Sequence, residues 1–212
     1  SVQLAPSVEL YSAIRASRST DVPDVSEVAD PAVLVPTHHA ALDAGAVGVN
    51  IEDSDKSGPR RLHNLDLAVS RVRAARKAAD DFGIPAVINA RTDGYMLGSD
   101  EDMFDETVKR ANAYLAAGAD CAFVIGARDG DLIGRLAASI DGPMNVLAGP
   151  GTPPVPQLKE MGVKRVTVGG NIAKAAYTLV KTAAEELMQS GTYEFAAGAY
   201  SQPEMHRIIK GE

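Results

Sequence analysis

A repeat constrains this chain more than any other feature. Five short apolar runs punctuate it, at residues 47–51, 86–89, 121–125, 144–148 and 165–168. Helix-like stretches closed by glycine precede four of them, at Ala44-Gly45, Phe82-Gly83, Ala117-Gly118 and Met161-Gly162. A helix C-terminus favours a residue free to take positive φ, so each glycine reads as a stop. Strands alternating with helices of ten residues or more imply parallel pairing, because parallel neighbours need a long crossover between them. In such folds the strand ends gather on one face and bind the ligand. Two of those ends, Glu52-Asp53-Ser54 and Arg91-Thr92-Asp93, carry residues suited to chemistry rather than to turn-making.

The 212 residues suffice for one large core, and residues 1–212 read as a single barrel-like domain. A formal net charge of -7 argues against nucleic acid as a partner, since phosphate binding needs a clustered positive field. A few local arginines could still hold a small anionic substrate. The single cysteine, Cys121, lies inside an apolar run. It can form no intramolecular disulfide, and a buried thiol in a reducing cytoplasm is the expectation. Apolar stretches fall far short of the roughly 20 residues of a membrane helix, and the first ten residues lack the pattern of an export signal.

Along the chain, residues 6–18 carry helical spacing, with Pro6 suited to a first turn. Residues 20–36 hold three prolines and several acids, and offer only a doubtful strand near 21–25. A helix is expected over 37–44, a polar loop over 54–64, and long helices over about 65–81 and 101–117. Further helices are expected over 131–139, after Gly169-Gly170-Asn171, and beyond Pro203. Five firm strands and one doubtful one fall short of the eight of a closed (β/α)8 barrel, so the sheet is open or the barrel is shortened in its N-terminal strands.

Several residues carry alternative readings. Glu52 and Asp53 could hold a hard divalent cation, or could cap the next helix or face solvent. Arg91 could grip a carboxylate or phosphoryl group with two parallel hydrogen bonds, or pair with Asp93 or another strand-end acid. Asn145, one residue into its strand, could face a ligand or satisfy backbone groups. Lys56, Arg60, Arg61 and His63 form either a lid over an anion or a solvated basic loop. His38 and His39 are adjacent, so a regular helix cannot aim both at one metal.

The segments AGAVGVNIEDS (44–54), INARTDGY (88–95), RANAYLAAGADCAFVIG (110–126), NVLAGPG (145–151) and GVKRVTVGG (162–170) resemble, in order and spacing, the isocitrate lyase and phosphoenolpyruvate mutase superfamily. The resemblance implies a (β/α)8 TIM-like barrel in a homodimer or homotetramer, with C-terminal helices 171–212 packing on a partner subunit. It implies Mg2+ as cofactor, and cleavage or formation of a C–C or P–C bond through an enolate-like pyruvate intermediate. Glu52 matches the family's acid in the metal shell, and Arg91 matches its arginine for the substrate carboxylate or phosphonate.

The departures also inform. Family members carry two strands before the helix that residues 3–14 resemble, then an acidic DxD or DxE motif supplying the principal metal aspartate. Here the corresponding stretch reads Asp21-Val22-Pro23-Asp24-Val25-Ser26, leaving Asp24 as the candidate. The cysteine loop of isocitrate and 2-methylisocitrate lyases is absent, and Gly126 stands where those lyases have a glutamate. The expectation is a Mg2+-dependent lyase or phosphonomutase acting on a small 2-oxo or 2-hydroxy carboxylate or phosphonate. Glu52 and Arg91 would be catalytic, Arg91 and Asn145 substrate-binding, and Glu52 and Asp24 metal-binding. The competing expectation is a catalytically silent or incomplete barrel acting as an oligomeric binding protein.

Overall fold

The computed structural model describes residues 3–4, 28–57, 59, 61–98 and 100–211. The helix expected over 6–18, the doubtful strand near 21–25, Asp24 and Arg60 lie outside the described residues. Two compact units divide the chain at Gly169/Gly170.

The first unit is an α/β fold on a six-stranded parallel sheet. Its strands are β1 (Gln3–Leu4), β2 (Gly48–Glu52), β5 (Val87–Thr92), β6 (Cys121–Val124), β7 (Met144–Leu147) and β8 (Arg165–Thr167). A separate antiparallel hairpin joins β3 (Ser54–Asp55) to β4 (Arg61–Leu62). The order across the main sheet is β1-β8-β7-β6-β5-β2, and every pair is parallel. From β2 to β8 the neighbours follow chain order, and the first strand then pairs with the last. That is the neighbour relation of a barrel, with β1 and β2 as the two edges among the described residues.

Five strands fall where the apolar runs place them. Gln3–Leu4 is a strand where the resemblance starts a helix at residue 3: it pairs with Arg165 and Val166, and two residues are too short to display any period. Helix α1 (Pro31–Asp43) corrects the expected start near residue 37. The Asp30 side chain caps it by accepting from Ala32 N at 2.8 Å, and Pro31 occupies the first turn, where its missing N–H costs nothing. Pro36 sits inside the helix, tolerated while Leu34, His38 and Leu42 bury one face.

Helix α2 (Leu65–Phe82) is capped by Asn64, which accepts from Leu67 N at 2.8 Å, and is closed by Gly83 at φ 81°. An L-side chain is strained at that φ. Its buried face of Ala68, Val72, Ala75 and Ala79 is small, so α1 and β5 approach closely. Helices α3 (Asp100–Ala116), α4 (Gly130–Ser139) and α5 (Val155–Glu160) complete this unit. One apolar cluster lies under β2 and β5, with Val72, Ile88 and Tyr114. Another joins β6, β7 and β8 to α4 and α5 through Ile133, Leu136, Val146 and Leu158. All four residues of β6 are buried, as expected of a parallel strand covered on both faces. Cys121 is buried and free, and its burial pushes the thiol up to about 11.

The second unit comprises α6 (Asn171–Gln189), a 3-10 turn at Glu194–Ala196 and α7 (Gln202–Lys210). Glu186 ties its own helix to the turn by accepting from Thr192 Oγ1, Glu194 N and Phe195 N. A capping box of Ser201 and Glu204 starts α7. Neither helix buries a residue. Among the described residues, no helix is long and apolar enough to cross a membrane.

Candidate active site

Parallel register aligns one residue from each successive strand: Glu52 with Arg91, Arg91 with Phe123, Phe123 with Asn145, and Asn145 with Arg165. Register-paired residues project to the same side of a sheet, so these five share a face. The structure thus places Glu52, Arg91 and Asn145 together on one row. Phe123 and Arg165 join it through the same register, which strand alternation alone does not supply, since all four residues of β6 are buried.

At the β2 end of the row, Arg91 is held by two carboxylates. Its Nη1 donates to Glu52 Oε1 at 2.8 Å, its Nε to Asp93 Oδ1 at 2.5 Å and its Nη2 to Asp93 Oδ2 at 3.0 Å. Both forms of the ion pair that stood as the alternative to substrate binding are therefore present, one with Asp93 and one with a strand-end acid. A guanidinium has five N–H donors. Three are engaged here, and the two others, one on each Nη, have no partner among the described residues. Lys56 Nζ reaches Glu52 Oε2 at 3.2 Å from the hairpin, and Ser54 Oγ donates to the same oxygen at 3.4 Å.

Glu52 and Asp53 do not act as a pair. Alternation along the chain sends Glu52 to the face of Arg91 and Asp53 to the opposite side, against α3. Asp53 is only 2% exposed. Its Oδ1 accepts the Asp93 backbone N–H at 2.9 Å, and its Oδ2 accepts the Tyr114 hydroxyl at 2.7 Å and Arg110 Nη1 at 3.4 Å. Burial pushes the Asp53 carboxyl above its ordinary range, while these donors, chiefly the Asp93 N–H and the Tyr114 hydroxyl, pull it back. Burial and the Asp53 charge also push the Tyr114 phenol far up, so it stays a donor. Arg110 also donates to Glu106 Oε1 at 2.7 Å and to His63 O at 3.0 Å. Buried Arg71 reaches the same corner, donating from Nε to Val28 O at 2.8 Å and from Nη1 to Glu52 O.

The loop over 54–64 is partly ordered by its own contacts. Asp55 accepts from Ser57 N at 2.9 Å and from Arg61 Nε at 2.8 Å, which holds its carboxyl well below the usual range, the Ser57 bonds contributing most. Of the described basic residues gathered there, Lys56 reaches Glu52 directly, while Arg61 is paired with Asp55. His38 is fully buried, with neither ring nitrogen hydrogen-bonded among the described residues, and His39 Nε2 contacts Ala78 O at 3.0 Å. They do not converge on a common site.

Asn145 is fully buried, and neither its Oδ1 nor its Nδ2 has a hydrogen-bond partner among the described residues. Among the described residues it does not satisfy backbone groups, the alternative role open to it. Gly126 has φ 96°, and a Cβ there would stand 2.9 Å from Tyr95 Cβ. A glutamate at this position would need both a strained backbone and a displaced Tyr95.

The donor set bears on a divalent cation. Mg2+ keeps several waters and takes one or two carboxylates, and Glu52 offers one hard carboxylate at a strand end. Among the described residues no group of three or more His, Cys, Asp or Glu could hold a metal. Glu52, whose oxygens pair with Arg91 and Lys56, could serve as one protein ligand acting with water, and Asp24 lies outside the described residues.

Comparison with known proteins agrees with this geometry. The family model described as phosphoenolpyruvate phosphomutase matches residues 9–188. An oxaloacetate decarboxylase of Chromohalobacter salexigens is 36% identical over 152 residues, covering 65% of this chain and 50% of that protein. Two crystal structures from Burkholderia cenocepacia J2315 superpose well. One, provisionally described as a lyase/mutase, has a TM-score of 0.79 at 33% identity, covering 86% of this chain and 66% of that one. The other, provisionally described as a phosphonomutase, has a TM-score of 0.74 at 35% identity, covering 87% and 75%. The chain spans about half the length of the curated relatives it matches, 44% and 50% for two of them. Strand order and matched span converge: the chain belongs to the phosphoenolpyruvate phosphomutase family.

Proposed function

We propose that this chain is a Mg2+-dependent lyase or mutase of small 2-oxo acids, with oxaloacetate and phosphonopyruvate as the first substrates to try. The observation that carries the reading is the Arg91 guanidinium, oriented by Glu52 and Asp93 with one N–H left on each Nη. Two such donors match the two oxygens of a carboxylate or phosphonate. In a decarboxylation the C–C bond to the departing CO2 breaks, its electron pair becomes the enolate of pyruvate, and a proton later restores the methyl group. Arg91 would bind the retained carboxylate and stabilise the charge that grows beside it. Asn145, on the same row, would offer its unpartnered amide to the substrate. Lys56, carried on the hairpin beside Glu52, would add positive charge as the loop closes. Glu52 and Asp24 would hold Mg2+, which supplies Lewis-acid stabilisation of the developing enolate. Identity with the oxaloacetate decarboxylase supports trying that acid first. Gly126, at a φ that would strain a glutamate and packed against Tyr95, disfavours a tricarboxylate lyase that needs a glutamate there.

The test is Mg2+-dependent pyruvate release from oxaloacetate, phosphonopyruvate and 2-methylisocitrate, with Arg91→Ala as control. Release from one of the first two that vanishes in the variant is expected. Turnover of none of the three by folded protein would overturn the proposal.

One observation favours the second reading, a silent binding barrel: Arg91, Glu52 and Lys56 largely satisfy one another. Mg2+ binding that weakens in Glu52→Ala or Asp24→Ala would dismiss it. We further propose that residues 171–212 pack against another copy in a homodimer or homotetramer, since Ile172, Tyr177, Val180 and Ile209 are all more than half exposed. Sedimentation of a monomer at micromolar concentration would refute that.

A further inference from the structure

We propose that Asp53 is a positioning residue that fixes the direction of the Arg91 guanidinium through Asp93. This rests on the reading of Arg91 as the substrate's anchor. Asp93 grips Arg91 with both carboxylate oxygens, at 2.5 and 3.0 Å, so wherever the Asp93 main chain sits, the guanidinium plane follows. That main chain lies just beyond β5, where ladder hydrogen bonds stop. Its N–H is taken instead by Asp53 Oδ1 at 2.9 Å.

Asp53 is itself immobilised. Tyr114 and Arg110, one helical turn apart on α3, hold its other oxygen, and its backbone N–H donates to Arg91 O at 3.1 Å. The Asp93 N–H, the Tyr114 hydroxyl and Arg110 Nη1 all face its oxygens as donors, which suits a carboxylate. Its backbone carbonyl accepts from His63 N at 2.8 Å, and Arg110 donates to His63 O, so the same cluster anchors the exit of the hairpin that carries Lys56. The cluster is buried and touches Arg91 only through the Asp93 clamp and the main chain. Its effect on substrate would therefore be one of aim.

Aim is costly to lose, because a displacement of about 1 Å in a binding group can cost roughly 100-fold in rate. Two measurements on the full chain separate aim from mere stability. The first is the Arg91 Nε–H resonance in 15N-labelled protein without ligand, identified by its loss in Arg91→Lys. The second is calorimetric titration with oxalate, a rigid dicarboxylate, in the presence of Mg2+.

In Asp53→Ala the resonance should broaden or shift, and oxalate binding should weaken about 100-fold. Asp53→Asn, whose Oδ1 can still accept the Asp93 N–H, should restore most of both. Asp53→Ala should add less than about threefold to the loss in Arg91→Lys, since effects transmitted through one residue do not multiply. An unchanged resonance in Asp53→Ala, or losses that multiply in the double variant, would overturn the positioning role and leave the proposed function intact. If wild-type protein neither binds oxalate nor consumes oxaloacetate, the proposed function falls, and the resonance alone decides the role of Asp53. Should Asp53→Ala not fold, Tyr114→Phe takes its place, with a shifted Arg91 resonance expected and an unmoved one refuting.

Discussion

Removing one oxygen from the buried cluster, by Tyr114→Phe, gives a stability change whose size follows from the structure. The Tyr114 hydroxyl donates to Asp53 Oδ2 at 2.7 Å and accepts from Arg110 Nη1 at 3.3 Å. Tyr114 is 1% exposed, so water cannot replace the lost donor. A hydrogen bond to a charged group contributes about 1.5–3 kcal/mol. Two factors pull the expectation toward the lower half of that range. Arg110 keeps His63 O and Glu106 as acceptors, and the phenylalanine ring escapes the cost of burying a hydroxyl. Asp53 keeps the Asp93 N–H and Arg110, so the charge is not stranded. A net loss of about 1.5–2 kcal/mol is expected, equivalent to a fall in Tm of roughly 3–8 °C for a chain of this size. Urea unfolding, with the midpoint and slope fitted separately, measures it. A loss below about 0.5 kcal/mol at unchanged slope would show that the hydroxyl does not serve a carboxylate, and would remove the premise that Asp53 is charged and held.

Two further outcomes follow from buried or strained positions. Burial, reinforced by neighbouring His39 and Arg76 and opposed by the Ala75 backbone, lowers the His38 pKa from 6.5. The unfolded chain therefore takes up a proton below about pH 6.5 that the folded chain refuses, and stability falls as pH drops through that point, by at most about 1.4 kcal/mol per pH unit. His38→Leu should flatten this dependence between pH 6.5 and 5.5, and identical slopes for wild type and variant would refute the assignment. Gly126→Ala must hold an L-residue at φ 96° and push Tyr95 aside. A loss of about 1–2 kcal/mol from the backbone alone is expected, read by thermal melting, and a neutral substitution would refute that backbone penalty.

Legibility in the sequence tracked the length of each signal. Five parallel strands could be read because each is an apolar run bracketed by polar or glycine positions. Gln3–Leu4 could not, since a two-residue strand is defined by its partner, here Arg165 and Val166. The start of α1 was hidden because Pro31 and Pro36 read as breakers, whereas a proline next to an aspartate cap starts a helix. The hairpin at Ser54–Asp55 and Arg61–Leu62 was likewise too short to show a period.

At the site, Glu52 and Arg91 were legible as polar strand ends, but that they meet depends on parallel register, which no local pattern encodes. Asp53 shows the reverse case, where the signal was present and adjacency obscured it. Consecutive acids suggest a shared ligand, yet consecutive strand residues point to opposite sides, so period two separates Glu52 from Asp53 before any coordinate is known. The partners of Asp53 also carried a signal, since Arg110 and Tyr114 stand four apart on α3 and must share a face. Together these two local rules place a buried acid behind the site and two donors able to hold it. What remains invisible to sequence is that the hold extends through the backbone N–H of Asp93, because a main-chain donor looks the same at every residue.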